Sequence, residues 1–202
     1  MTRLVAVDRD APSAAAVEEA AAVLRADGLI AFPTETFYGL GAAALRPAAV
    51  RRIFEVKGRP EGKPLLVLVD SIAMAERLAI SVPPRARALM DRHWPGPLTL
   101  VLRARPEVPT EITAGSGTIG VRLSAHAVAR ALVTALGGPV TAPSANLSGR
   151  PAPTTAAEVV AAFGDALPLV LDGGATPGGQ PSTVLDVTVD PPRLIRAGVV
   201  EV

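Results

Sequence analysis

Apolar positions along the chain fall into short continuous runs, separated by longer stretches with helical spacing. Runs of about four to eight apolar residues bounded by turn residues are typical of buried strands. Strands are therefore predicted at LIAF (29–32), LLVLV (65–69), LTLVLRA (98–104), TIGVRL (118–123), PVTA (139–142), LPLVL (167–171), STVLDVTV (182–189) and RLIR (193–196). Since helices are predicted between most of these strands, the pattern indicates an α/β fold, with a mixed twisted sheet flanked by helices.

The helices are predicted from the residues that begin and end them. They are VEEAAAVLRAD between Ser13 and Gly28, RRIFEV after Pro47, the segment from Pro83-Pro84 to His93, residues 125–136 before Gly137-Gly138, and the segment through AAF after a Thr155–Glu158 capping box. Each has a capping side chain, a proline at its start or a glycine at its end, which is how helices are usually bounded.

The composition agrees with one folded domain over residues 1–202. Hydrophobic residues make up 49% of the 202 residues and charged residues 19%, a balance typical of globular proteins. The absence of cysteine excludes disulfides, zinc–thiolate sites, iron–sulfur clusters and cysteine nucleophiles. No apolar run reaches the roughly 18 residues of a membrane span, and the N-terminus MTRLVAVDRD is charged, so we expect a cytoplasmic protein.

Charge is unevenly distributed although the net charge is only +1. Residues 46–105 contain 12 Arg and Lys against 5 Asp and Glu, whereas the rest of the chain contains 8 against 14. The segment 112–157 has no acidic residue. This distribution fits a solvated basic face, and it also predicts a cavity that binds polyanions. Lysine occurs only at Lys57 and Lys63, against 18 arginines, which indicates that an ammonium group matters in this region.

Four segments combine glycine, proline and polar side chains as binding loops do. They are FPTETFYGLG (32–41), KGRP (57–60), TAPSANLSGRP (141–151) and GGQPST (178–183). The Lys57–Arg59 pair suits a triphosphate because it places two cations on one short loop. From the residues alone, the same segments also fit packed turns, ordinary polar loops, or helix-end cations that meet the helix dipole.

Two apparent nucleotide motifs fail on context. GSGTIG (115–120) matches the dinucleotide pattern, but a strand follows it and the later acidic residue is missing. GRPEGKP (58–64) has three residues instead of four between its glycines, and Pro64 stands where a phosphate loop needs Ser or Thr. Neither a dinucleotide-binding fold nor a phosphate loop is predicted.

Taken together, the segments resemble the YrdC-like family of L-threonylcarbamoyladenylate synthases, in its short single-domain form. AFPTETFYGLG, KGRPEGKPLLVLV, WPGPLTLVL, TIGVRLSAH, APSANLSGRPAPT and GGQPSTVLDVT occur in family order, over roughly residues 10–200. The resemblance implies a twisted open sheet around a large positively charged cavity.

The resemblance also implies a reaction. Family members convert L-threonine, bicarbonate and ATP to threonylcarbamoyl-AMP and pyrophosphate, and a downstream transferase complex moves the threonylcarbamoyl group to tRNA. The reacting species are anionic, so we expect catalysis to depend on cations that hold and position them. Magnesium is expected with ATP, without a metal ion held tightly by the protein. Weak RNA binding is a further expectation.

By resemblance, eleven residues carry this chemistry. Lys57 and Arg59 act as the catalytic cations and hold the phosphates. The remaining ATP-binding residues are Thr118, Ser144, Asn146, Arg150 and Arg196. L-threonine is held by Thr34, Arg122, Ala142 and Ser182, with the Arg122 guanidinium on its carboxylate. Glu35 is the nearest acidic residue and is not expected to act as a base.

Two positions depart from the family pattern. Leu68 stands where many longer members have a histidine, and Pro181 stands where an acidic residue is common. No second domain is expected after Arg196, whereas longer relatives continue through a linker into one.

Three alternatives remain open from the sequence. A carbamoyl-adenylate-forming domain that uses carbamoyl phosphate shares the fold, although such domains sit in longer chains with cysteine-rich zinc fingers. A close relative with little threonine-dependent activity is the second alternative. A double-stranded RNA-binding protein would use the same cavity, but it would leave the Thr34–Arg122 pair unexplained.

Overall fold

The elements of the fold follow from the computed structural model, which describes residues 1–60 and 62–202. The helices are α1 (Ala14–Arg25), α2 (Pro47–Lys57), α3 (Ile72–Leu78), α4 (Pro84–His93), α5 (Thr110–Thr113), α6 (Ala127–Leu136) and α7 (Ala156–Phe163). The strands are β1 (Arg3–Ala6), β2 (Ile30–Pro33), β3 (Tyr38–Gly41), β4 (Leu66–Leu68), β5 (Leu98–Arg103), β6 (Thr118–Arg122), β7 (Val140–Thr141), β8 (Leu169–Asp172), β9 (Thr183–Asp186) and β10 (Arg193–Arg196). The α/β class is confirmed. Glu61, a member of the KGRPEGKPLLVLV motif, lies outside the described residues.

The strands of the described residues form two mixed sheets, where the strand pattern predicts one. A four-stranded sheet has the order β1-β8-β2-β3, and a six-stranded sheet has the order β10-β9-β5-β6-β4-β7. Continuous apolar runs do not distinguish the two arrangements, because a strand buried on both faces looks the same in either sheet. The sheets meet where isolated bridges join Gly39 to Ser144 and Ala43 to Val140. We call this junction the seam.

One strand at the seam was predicted only as part of a turn. β3 pairs antiparallel with β2, from Ile30 opposite Gly41 to Pro33 opposite Tyr38. A Cβ atom on Gly41 would lie 2.9 Å from the Phe32 ring, so only glycine lets the two strands come this close. The glycines that suggested a loop are therefore packing positions within a hairpin.

The predicted helix starts are largely confirmed. The Ser13 hydroxyl accepts a hydrogen bond from the Ala16 amide, and the Thr155–Glu158 capping box has both of its bonds. α6 begins at residue 127, two residues later than predicted, because His126 caps it with its ring nitrogen. In the described part of the chain, every helix is too short or too polar to cross a membrane.

The apolar interior fixes the strands that carry the site. Leu24 of α1 and Leu132 of α6 are fully buried, and these two helices pack on each other. Phe32 and Tyr38 are fully buried on the two strands of the hairpin. Close packing of this kind holds the polar turn between β2 and β3 in a fixed position.

Candidate active site

A cavity of about 400 Å³ opens at the seam between the two sheets. Strands β3 to β6, β9 and β10 contribute to its wall, together with the β2–β3 turn, the loop after β7 and the segment after α2. Eight of the predicted site residues line it, namely Thr34, Arg59, Thr118, Arg122, Ala142, Ser144, Ser182 and Arg196. The structure thus brings together side chains that are up to 162 positions apart in the sequence.

Three arginines lie on the cavity wall. Arg59, Arg122 and Arg196 line it, and no aspartate or glutamate of the described residues does. Burial lowers the pKa of Arg196, and the neighbouring charge of Arg122 lowers it further. Two like-charged guanidinium groups in a partly buried wall repel each other. An anionic ligand bound between them would reduce this repulsion, so the wall favours anion binding.

Lys57 lies behind the cavity wall and ties two loops together. Its ammonium group donates to the carbonyls of Ser144 at 2.6 Å and Asn146 at 2.5 Å, while its own carbonyl accepts from the Ser148 amide at 2.9 Å. Lys57 as a whole residue is only 3% exposed. Burial lowers the pKa of Lys57 to about 8, with a further contribution from the Arg59 charge. The predicted catalytic ammonium therefore also organises the loop after β7.

Arg59 points to the cavity because α2 ends in a left-handed residue. Gly58 has a φ of 56°, which glycine adopts without steric cost. The Arg59 Nη2 donates to the Pro64 carbonyl at 3.0 Å, but its Nε is buried and has no partner in the described residues. An unpaired buried donor on a cation is costly, so an anion bound here would relieve it.

The loop after β7 is held by its own side chains. The Ser144 hydroxyl donates to the Asn146 amide oxygen at 2.5 Å, and the Asn146 amide nitrogen donates to the Leu147 and Arg150 carbonyls. Ser144 reaches the cavity, whereas Asn146 and Arg150 line a separate depression beside α7. Asn146 shapes the loop, and Arg150 is exposed and does not line the cavity.

The β2–β3 turn is built around the Thr34 hydroxyl. This hydroxyl donates to the Phe37 carbonyl at 2.7 Å and accepts from the Thr36 and Phe37 amides at 3.1 and 3.3 Å. The Thr36 hydroxyl lies 3.0 Å from it, and Arg122 donates to Thr36 at 3.4 Å. Because Thr34 uses its hydrogen-bonding capacity within the turn, Thr36 is the hydroxyl with capacity left for a ligand.

Arg122 is held by an ion pair with Glu35. Its Nη2 lies 2.7 Å from Glu35 Oε1, and the Arg122 and Glu35 side chains are 5% and 16% exposed. The other carboxylate oxygen accepts from the Ser124 hydroxyl. Burial alone would raise the pKa of Glu35, but the Arg122 charge and these hydrogen bonds outweigh it and lower the pKa. The guanidinium predicted to receive a carboxylate already has one at its side.

Ser182 and Arg196 form a second polar unit on the six-stranded sheet. Arg196 donates to the Ser182 carbonyl at 2.8 Å and to its hydroxyl at 2.9 Å. The Ser182 hydroxyl lies 3.0 Å from that of Thr99. Pro181 also lines the cavity, whereas Leu68 is buried in β4 opposite Arg122 and does not line it.

Some lining residues were not predicted. Thr36, Thr99 and Ile195 line the cavity together with Val184. Thr99 carries a signal that the sequence offers, since a threonine inside the apolar run LTLVL is out of pattern. The apolar lining of Val184 and Ile195 has no such signal, because these residues read as ordinary strand positions.

Comparison with known proteins places these residues in one family. The sequence profile of the Sua5/YciO/YrdC family, described as "Telomere recombination", matches residues 22–198. The chain belongs to this family. The whole of the described cavity wall, from Thr34 to Arg196, lies inside the matched segment.

Relatives of the Sua5/YciO/YrdC family match the chain over most of its length. The threonylcarbamoyl-AMP synthase of Pyrococcus abyssi is 49% identical over 179 residues, which are 89% of this chain and 53% of the relative. That of Thiobacillus denitrificans is 40% identical over 176 residues, which are 87% of this chain and 92% of the relative. The chain therefore spans about half the length of the first relative and nearly all of the second.

A solved structure of the same family has the same fold. The crystal structure of Pyrococcus abyssi Sua5 complexed with L-threonine matches with a TM-score of 0.94 at 46% identity. The match covers 98% of this chain and 58% of that one. This confirms the family resemblance and the fold class that it implied.

Proposed function

We propose that this chain catalyses the formation of threonylcarbamoyl-AMP and pyrophosphate from L-threonine, bicarbonate and ATP. The observation that carries the proposal is the single cavity in which a hydroxyl-bearing turn and Arg122 lie with Arg59 and Arg196. The turn hydroxyls and Arg122 suit an α-amino acid, and Arg59 and Arg196 suit phosphates. The relatives named as threonylcarbamoyl-AMP synthases and the threonine-bound Sua5 structure support the same reaction.

The chemistry requires anions to be held against one another. The threonine amine attacks the carbon of bicarbonate, water leaves, and a carbamate forms. A carbamate oxygen then attacks the α-phosphorus of ATP, and the bond to the leaving pyrophosphate breaks. We assign Arg122 to the threonine carboxylate and Arg59 to the phosphates, because fixed cations lower the repulsion between these groups. We also assign Lys57 to the phosphates, since the two carbonyls behind the wall account for only two of the three N–H groups of its ammonium.

The other predicted residues have supporting roles in this proposal. Ala142 and Ser182 adjoin the amino acid, and Thr118, Ser144 and Arg196 adjoin the nucleotide. Asn146 acts through the loop that it shapes, since its amide nitrogen is bonded to loop carbonyls. Arg150 keeps only a peripheral nucleotide role, because it is exposed in the separate depression.

Magnesium would enter as part of the substrate. Among the described residues, no three His, Cys, Asp or Glu side chains are grouped so that they could hold a metal ion. In the part of the chain that the structure describes, the cavity lining offers cations to the phosphates and no carboxylate ligands. We therefore infer that MgATP is the form that binds, with the triphosphate as the ligand of the metal ion.

The experiment that tests this function is a pyrophosphate-release assay with MgATP and bicarbonate, with and without L-threonine. We expect release that depends on threonine and on bicarbonate, together with threonylcarbamoyl-AMP detected by mass spectrometry. Pyrophosphate exchange driven by carbamoyl phosphate without a response to threonine would favour a carbamoyl-adenylate-forming enzyme instead. Double-stranded RNA binding without any nucleotide chemistry would favour the RNA-binding alternative.

Substrate analogues should show that the site recognises the threonine hydroxyl. Valine keeps the shape of threonine without its hydroxyl and would leave polar groups such as the Thr36 hydroxyl unpaired, so we expect it to be close to inert. Serine keeps the hydroxyl and lacks one methyl group, so we expect kcat/KM to fall by roughly tenfold or more. The measurement is kcat/KM for each amino acid. Equal activity with valine and threonine would contradict the assignment of this wall to the amino-acid side chain.

ATP affinity should weaken with rising pH. The pKa of Lys57 is lowered to about 8, so the ammonium loses its proton, and its attraction for phosphate, as the pH passes that value. If only the charged form binds, the Kd for ATP rises about tenfold from about pH 7 to about pH 9. Phosphate groups titrate near pH 6 and do not contribute in this range. The measurement is calorimetry across the range, with Lys57→Arg as the control whose Kd should stay flat.

In this proposal the product is an activated acyl-type group for transfer. A downstream transferase complex would move the threonylcarbamoyl group to tRNA, since the mixed anhydride with AMP reacts readily with a nucleophile. ATP, bicarbonate and tRNA meet in the cytoplasm, and we propose that the reaction takes place there.

A further inference from the structure

Glu35 is placed at the seam so that both of its oxygens are used. Oε1 accepts from Arg122, with 2.7 Å to Nη2 and 3.3 Å to Nε, and Oε2 accepts from the Ser124 hydroxyl. Ser124 itself accepts from the His126 amide at 3.2 Å. The carboxylate is therefore held on both of its oxygens by the end of β6 and the segment that follows it.

These contacts place Glu35 poorly for the role of a base that prepares the threonine amine. Its side chain does not line the cavity, and neither oxygen is left without a partner. A base must reach the proton that it removes, directly or through one water molecule. To accept a proton, the Glu35 carboxylate would also have to give up its ion pair or its hydrogen bond, which costs free energy. What its contacts do connect it to is Arg122, which lines the cavity.

The contacts of Arg122 show what this connection to Glu35 does. Nε and Nη2 face Glu35, and Nη2 also donates to Thr36. Nη1 has no hydrogen-bond partner in the described residues, and it is not among the fully buried unpaired atoms. Since Arg122 lines the cavity, this nitrogen remains for a ligand.

We propose that Glu35 is a positioning residue, which fixes one edge of the Arg122 guanidinium so that Nη1 is presented to the carboxylate of the amino-acid substrate. This inference rests on the proposed function. Guanidinium groups bind carboxylates with directional geometry, so a small rotation of the group weakens the contact. The Arg122 side chain, which is only 5% exposed, also needs a counter-charge to stay buried. Glu35 supplies the charge and the orientation together.

The test compares Glu35→Gln with the wild type in the pyrophosphate-release assay. We expect the KM for threonine to rise by roughly tenfold or more, since a misplacement of about 1 Å at a reacting group can cost 100-fold. The KM for ATP should not rise. The matched control is Glu18→Gln, which removes the same charge from an exposed Glu18–Arg25 pair outside the cavity. Its two KM values should match those of the wild type.

The outcomes distinguish a failure of the proposed function from a failure of the positioning role of Glu35. Absence of threonine-dependent release in the wild type overturns the proposed function. A wild-type rate with an unchanged threonine KM in Glu35→Gln, or a parallel change in both KM values, overturns the positioning role. If Glu35→Gln does not fold, Ser124→Ala decides by the same comparison, because it frees the other end of the carboxylate and keeps the charge.

A spectroscopic readout tests the positioning role without activity. In ¹⁵N NMR of the arginine side chains, the Nε–H of Arg122 should give a slowly exchanging signal in the wild type. Glu35→Gln should shift this signal and speed its exchange with water. An Arg122 signal that is the same in both proteins would show that Glu35 does not fix the guanidinium, whatever reaction the chain catalyses.

Discussion

Lys57→Ala is expected to lower the rate of threonine-dependent pyrophosphate release by about 100-fold or more, as the loss of a single donor to a developing charge does in other enzymes. The ammonium is lost at the point where α2 ends, and the carbonyls of Ser144 and Asn146 lose their shared donor. We expect an additional loss of about 1–3 kcal/mol in the free energy of unfolding, since these carbonyls are left unpaired. The measurements are initial rates and denaturant unfolding.

Two further variants separate the catalytic effect from the structural one. Lys57→Met keeps the buried methylene stem and removes only the charge, so it should lose activity with a smaller change in stability. Lys63→Ala removes the other lysine of the chain, which is exposed and outside the cavity lining, and should keep a rate close to that of the wild type. A Lys57→Met rate equal to that of the wild type would contradict a phosphate role for Lys57.

Arg122→Ala is expected to weaken threonine binding by about 10- to 150-fold, the equivalent of about 1.5–3 kcal/mol for a hydrogen bond to a charged group. ATP binding should change much less, because Arg59 and Arg196 remain. Calorimetry with each ligand separately measures the two effects. Equal losses for threonine and ATP would assign Arg122 to the general positive field of the cavity instead.

Arg122→Ala should also change how the free energy of unfolding depends on pH, because it leaves Glu35 without its cation. Glu35 would be left buried without its cation, at a cost of about 3 kcal/mol in unfolding free energy, the low end for buried pairs because its side chain retains 16% exposure. In the wild type its pKa is lowered, so the pair stabilises the fold above the ordinary carboxyl pKa and this stabilisation is lost as the pH falls. In Arg122→Ala, burial favours the neutral form and raises the pKa. The stability difference between the two proteins should therefore shrink on acidification from about pH 7 to about pH 4.

Local signals in the sequence predicted most of the helices and strands, because the ends of these elements are set by residues close in the sequence. Ser13, Pro47 and the Thr155–Glu158 box act within one helical turn, and the structure has helices beginning there. Division into two sheets depends on which strands pair across long separations, such as β2 with β8, and no local pattern encodes that choice. The single predicted sheet was wrong for this reason.

Local sequence patterns also left part of the candidate site unpredicted. Residue type was enough to nominate Arg122 and Thr34, since their segments are dense in polar groups. Residue type was not enough to show that the Thr34 hydroxyl is hydrogen-bonded within the turn, or that the Lys57 ammonium bonds two carbonyls behind the cavity wall. Those facts depend on side-chain direction, which follows from packing and not from spacing in the sequence.

The placement of the Glu35–Arg122 pair has a thermodynamic consequence. Glu35 belongs to the turn between two strands of the four-stranded sheet, and Arg122 ends a strand of the six-stranded sheet. The part of the cavity wall that we assign to the amino acid is thus a property of the docked layers and of neither layer alone. A ligand bound across the junction contributes its binding free energy to the cohesion of the two layers. Conversely, any loosening between the layers reduces the affinity for that ligand by the same coupling free energy.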